Sequence, residues 1–176
     1  MKAFVQNGGG LLVSGHDPHW LREYLNLRVS YHQTRRVWPV GETTATKGLD
    51  GEDLRDWRGH STLLDPRPDY LNGTGSDVRA AVTTYPYAGW RWGNRGTVAS
   101  AAIEKPHRSG WRPLLECEFD LQYSPLMELD FGNGRIVWSQ LDLEDHASQE
   151  PAAQLLAKQV VDYAMTAPLA PRMEVS

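Results

Sequence analysis

The residues best suited to chemistry in this sequence are a serine, a cysteine and several histidines and carboxylates near the ends of apolar runs. Ser14 lies in Leu12-Val13-Ser14-Gly15-His16. A serine nucleophile on a strand-to-helix elbow needs Gly-x-Ser-x-Gly, whose tight turn exposes the hydroxyl. Leu12 holds the first of those glycine positions here, so the elbow signal is weak. His16 stands where a strand would end, the place at which open α/β sheets put ligands. With Asp142 and His146, which follow the last apolar strand, it forms one candidate catalytic cluster, extended by His19 and Asp145. The competing reading makes these histidines surface or loop-capping groups. No HxH or HExxH spacing occurs, so neither a metal nor a cofactor is expected.

Cys117 is the single cysteine, which excludes an internal disulfide and a thiolate metal cluster. It falls on the apolar side of an alternating strand and reads as a small buried hydrophobe. Glu104, Glu116, Glu118 and Asp120 lie on or near strands. Glycoside hydrolysis requires two carboxyl groups facing each other across a sugar at roughly 5–9 Å. Glu116 and Glu118 instead share one strand face, the solvent side of a half-buried strand.

The segment Tyr85-Pro86-Tyr87-Ala88-Gly89-Trp90-Arg91-Trp92 is the best binding candidate. Tyr87, Trp90, Arg91 and Trp92 offer ring faces and a cation for a pyranose or a neighbouring domain. The alternative is a loop folded back on its own domain. Its aromatic character matches the whole chain, which has 7 tryptophans and 7 tyrosines but 3 phenylalanines.

The elements that must position these groups read as α/β. Residues 1–6 look like the last turn or two of a helix, and Asn7-Gly8-Gly9-Gly10 supplies its C-cap. Leu11 to Gly15 is a continuously apolar run, the mark of a central parallel strand covered on both faces. Asp17-Pro18 then starts a helix bearing Trp20, Leu21, Tyr24 and Leu25 on one face. Residues 29–40 alternate weakly and suit an edge strand or hairpin, and 52–57 suit a helical turn or two. Residues 78–85 and 97–103 read as strands, 90–96 as a loop, and 114–121 as a half-buried strand. Gly132-Asn133-Gly134 separates two strands of a hairpin. Ala152, Leu155, Leu156, Val160 and Tyr163 give a final helix over 151–165.

At 176 residues the chain suits one domain, residues 1–166, followed by a flexible tail over 167–176. Its net charge of −4 argues against nucleic acid and membrane surfaces as partners, since both call for a basic field. No apolar run approaches the ~20 residues of a membrane span, and residues 1–10 lack signal-peptide character. The compartment is left open.

Two blocks carry a family resemblance. Phe4 through His16 resembles the helix–glycine–strand segment of class I glutamine amidotransferase-like domains, including the ThuA-like group. Ser124 through Leu143 is similar to the closing hairpin of the same fold, and a Pro-Ala-Ala helix follows. With Ile103-Glu104-Lys105-Pro106-His107 upstream, the pattern resembles accessory domains appended to large bacterial β-galactosidase-type glycoside hydrolases. The resemblance spans residues 4–16 and 97–164. It implies a flavodoxin-like, mostly parallel sheet with helices on both faces and a C-terminal hairpin, entered partway through the fold. An active amidotransferase carries a cysteine at the Gly-x-Cys-x-Gly elbow, whereas Ser14-Gly15-His16-Asp17 holds none. The expectation is therefore a non-catalytic accessory or interaction domain of a carbohydrate-active enzyme. Its partners would be neighbouring domains of a parent enzyme, a second copy of itself, or carbohydrate. The alternatives are a small hydrolase using the His/Asp cluster and a carbohydrate-binding module using the aromatic loop.

Overall fold

The fold is taken from a computed structural model that describes residues 2–15, 18–25, 27–30, 34–57, 97–106, 110–117 and 120–166. In chain order the elements are α1 (Lys2–Gln6), β1 (Gly10–Ser14), α2 (Pro18–Leu25), β2 (Val29–Ser30) and β3 (Trp38–Pro39). There follow β4 (Ala102–Glu104), β5 (Arg112–Cys117), β6 (Tyr123–Phe131), β7 (Gly134–Ser139), α3 (Leu143–His146) and α4 (Pro151–Met165).

The seven strands form one mixed sheet in the order β1-β7-β6-β4-β2, with β5 on β6 and β3 on β5. Among the described strands only β1 and β7 run parallel, from Gly10 opposite Arg135 to Ser14 opposite Ser139. Every other ladder is antiparallel. This overturns the expected mostly parallel, flavodoxin-like sheet. The physical reason lies in the connections. A parallel pair needs a crossover of a dozen or more residues, whereas the two-residue turn Gly132-Asn133 forces β6 and β7 into an antiparallel hairpin. Gly132 has φ +64°, and a Cβ there would lie 2.8 Å from the Gln6 backbone, so the turn seats directly on the end of α1.

Among the described residues the apolar run at 11–15 also proves to be an edge strand, not a central one. A continuous apolar run reports cover on both faces and says nothing of position within the sheet. That cover is real on both sides. Leu12 packs with the core beneath α4, formed by Leu126, Val137, Ala153, Leu156 and Val160 among others. Val13 packs with the opposite cluster of Leu21, Val29, Ile103, Met127 and Trp138 beneath α2. Burying a side chain such as Leu156 or Leu21 contributes about 1.5–3 kcal/mol.

Among the described residues of 29–40 the strands are the two-residue β2 and β3, Thr34 bridges Ala99, and 52–57 forms turns with an isolated bridge between Arg36 and Arg55. β5 does not alternate cleanly. A register shift between Pro113 and Leu115 turns both Leu114 and Leu115 inward. α4 spans Pro151–Met165, with Pro151 in its first turn. It ends where Arg135 donates to the Tyr163 carbonyl at 3.2 Å, a cation at a helix C-terminus. The expected strand at 78–85, loop at 90–96 and tail at 167–176 lie outside the described residues.

Candidate functional site

The end of β7 leads into Asp142 and His146, two of the polar groups that the sequence singles out. Beyond Ser139 the chain leaves the ladder and is held by backbone bonds. Gln140 N–H donates to the Pro125 carbonyl at 2.8 Å, and Asp142 N–H to the Val98 carbonyl at 2.9 Å. These bonds lay residues 97–100 across the chain as it enters α3. Ser100, Ser139, Gln140, Asp142 and His146 are all buried there.

Asp142 occupies the N-cap position of α3, yet its side chain makes no cap hydrogen bond. The carboxylate turns instead to Ser100, whose Oγ lies 2.7 Å from Oδ1 and 2.9 Å from Oδ2. A charge-assisted hydroxyl–carboxylate bond is stronger than a neutral one, and burial strengthens it further. Glu144 and Asp145 supply the negative charge favoured at a helix start and stay exposed, so Asp145 does not join the buried group. His146, one turn after Asp142, is fully buried with its ring edge toward Trp57, centroids 5.7 Å apart. Trp57 is fixed in turn by its indole N–H, which donates to the Asp53 carbonyl at 3.1 Å.

The structure thus joins Asp142 to Ser100, and buries His146 one turn further on against Trp57 of the apolar core. The pairing is not that of a hydrolase. In a Ser-His-Asp site the histidine stands between hydroxyl and carboxylate and takes the serine proton. Here the Ser100 hydroxyl lies against the carboxylate itself, and serine and aspartate are 0% and 1% exposed. The arrangement clamps residues 97–100 to the end of β7. His16 lies outside the described residues, as do Tyr87, Trp90, Arg91 and Trp92.

A second polar cluster was not anticipated from the sequence. Glu128 and Asp130 on β6 share a face with Leu126, on the α4 side. Arg112 lies opposite Glu128 across β5, and Arg135 lies opposite Asp130 across β7. Arg112 meets Glu128 at 3.1 Å and Asp130 at 2.6 Å, and Arg135 meets Glu128 at 3.2 Å. Tyr163 of α4 donates its hydroxyl to Glu128 at 2.7 Å, while the Arg135 guanidinium lies 4.0 Å from the Tyr163 ring centroid. Desolvation works against the Arg112 charge, but the hydrogen bond to Asp130 and the field of Glu128 outweigh it and raise its pKa. Two carboxylates and two guanidiniums pair in a half-buried network, with Glu128 and Arg135 buried and Arg112 a third exposed, that ties α4 to three strands.

On the opposite face, Trp20 stacks on Trp138 at 5.9 Å and Trp111 meets Trp138 edge-on at 6.4 Å. Cys117 is buried and free of any disulfide. Glu116 pairs with Lys105, and Glu104 meets Arg28 at 3.3 Å.

No protein-family model, curated protein or solved structure matches the chain. Function is therefore argued from the geometry. Among the described residues, no group of three His, Cys, Asp or Glu side chains converges to hold a metal ion. No helix among them is long and apolar enough to cross a membrane.

Proposed function

We propose that this chain is a non-catalytic accessory or interaction domain working with a carbohydrate-active enzyme of the β-galactosidase type. One observation carries the non-catalytic half: Asp142 is 1% exposed, with both carboxylate oxygens against the Ser100 hydroxyl. A general acid or base must reach its substrate, and a buried carboxylate held by a hydroxyl acts as a clamp. The link to carbohydrate enzymes comes from the resemblance of residues 4–16 and 97–164. The parallel pairing of β1 with β7, one strand from each block, supports reading the two blocks as parts of one unit.

The test has two arms. The purified chain is assayed with aryl glycosides, aryl esters and glutamine, and no turnover above buffer is expected. Turnover that disappears in His16→Ala overturns the non-catalytic reading in favour of a small hydrolase. In the second arm, the chain is mixed with a β-galactosidase-type catalytic domain from the same source and examined by sedimentation velocity. A stoichiometric complex is expected, and two independent boundaries overturn the association.

A further inference from the structure

The sheet ends, among the described strands, at β1, and its pairing there is one-sided. Among the described residues β1 is hydrogen-bonded to β7 alone, which leaves the outer row of backbone N–H and C=O groups from Gly10 to Ser14 as a sheet edge. The other end of the sheet is protected by shortness, since β2 and β3 have two residues each. β1 has five, Gly-Leu-Leu-Val-Ser, with no charge and no proline, and its ladder to β7 shows no register shift. It lacks each of those devices that keep an edge from pairing.

The helix above it extends the same surface. Tyr163 of α4 reaches Glu128 on β6, and Gln159 donates to the Lys47 carbonyl at 2.8 Å, so this flank of α4 faces the interior of the sheet. Ala164 lies over Gly10, so closely that a Cβ on Gly10 would overlap its carbonyl. At 3.6 residues per turn, the flank beyond Ala164 carries Gln154, Ala157, Val161 and Met165. That flank overhangs the β1 edge. Val161 is 47% exposed and Met165 58%, and Phe4, whose ring lies against Gly9 at the entry to β1, is 60% exposed. None of these residues is charged, in a chain whose net charge is −4.

We propose that the β1 edge is a homodimer interface, in which β1 pairs antiparallel with β1 of a second copy about a two-fold axis near Leu12. The sheet then runs on through both chains. β1 packs Leu12 against one apolar cluster and Val13 against the other, so a strand that continues the sheet here must be apolar on both faces, and β1 itself meets that requirement. Its register is self-complementary: Leu12 faces Leu12, and Gly10 faces Ser14. α4 runs opposite to β1, from the end of β7 back to Gly10. Two strand residues cover about 6.6 Å and a helix rises about 1.5 Å per residue, so counting back from Ala164 puts residue 159 or 160 above Leu12. Val161 is the exposed flank residue nearest that level, so the two Val161 side chains approach each other beside the same axis. An uncharged flank lets two acidic copies approach without like-charge contact. The inference rests on sheet order and helix placement, independently of the carbohydrate assignment.

Sedimentation equilibrium and light scattering on the full chain test it, with a dimer of twice 19.8 kDa expected at micromolar concentration. Val161→Glu with Met165→Glu changes two exposed side chains and should weaken the dimer at least about tenfold with the far-UV spectrum unchanged. Val161→Cys should form a cross-chain disulfide under mild oxidation. A strictly monomeric chain overturns the proposal, as does a dimer untouched by the double substitution or a Val161→Cys chain that never cross-links.

Discussion

The Ser100 hydroxyl and the Asp142 carboxylate, 42 residues apart in the chain, meet at 2.7 and 2.9 Å inside the core. Removing the donor leaves a buried carboxylate short of a hydrogen bond. Ser100→Ala is expected to cost about 1.5–3 kcal/mol, the range for hydrogen bonds to charged groups. Asp142→Asn should cost a similar amount, and the double variant less than the sum. Urea unfolding of the four proteins gives the coupling energy, and strict additivity would show that the two residues act separately.

Glu128 is the hub of the second network, meeting Arg112, Arg135 and Tyr163 at 3% exposure. Removing one partner of a buried pair strands its opposite charges. Glu128→Ala should destabilise by about 3–5 kcal/mol. Tyr163→Phe loses one hydrogen bond to a charged group and should cost about 1.5–3 kcal/mol. Guanidinium unfolding monitored by circular dichroism checks the order, and equal losses would place the hub elsewhere.

Gly10 carries no side chain because the Ala164 carbonyl occupies that space. Gly10→Ala forces α4 to lift and should destabilise by about 1–3 kcal/mol or more. Amide exchange in α4 should accelerate in the variant, while the β6–β7 hairpin keeps its protection relative to global stability. Unchanged exchange over α4 would refute the close approach.

Leu121 sits at φ +55° and is 41% exposed, a left-handed position held by an apolar side chain. Asn tolerates that region far better. Leu121→Asn should stabilise by about 1 kcal/mol, which for a chain of this length raises Tm by about 2–4 °C. A calorimetric scan showing a lower Tm would mean that Leu121 contributes packing beyond the strain it imposes.

What could be read from the sequence were local periodicities. The spacing of Leu156, Val160 and Tyr163 announces α4, and Gly132-Asn133-Gly134 announces the hairpin. Strand direction was misread, because an apolar run such as Leu11-Leu12-Val13 records what covers a strand and not which neighbours it has. Glu128 and Asp130 gain their partners only through the register, which brings Arg112 and Arg135 opposite them. Asp142 and His146 look like an acid–base pair, and only the fold reveals that Ser100 comes to the carboxylate and that both residues are buried. Of the expected site residues, His16 and the group Tyr87, Trp90, Arg91 and Trp92 fall outside the described residues, so the geometry bears only on Asp142 and His146.

The contact of Gly10 with Ala164 joins the first strand to the last helix and closes most of the polypeptide into one loop. The entropy of closing such a loop grows only logarithmically with its length, so doubling it costs roughly 0.6 kcal/mol. The connecting segments on the surface are therefore free to lengthen or shorten over evolutionary time at little thermodynamic cost. A single methyl group added at the closure point exceeds that cost. Variation among descendants of this chain should accordingly be wide in loop length and narrow at one glycine.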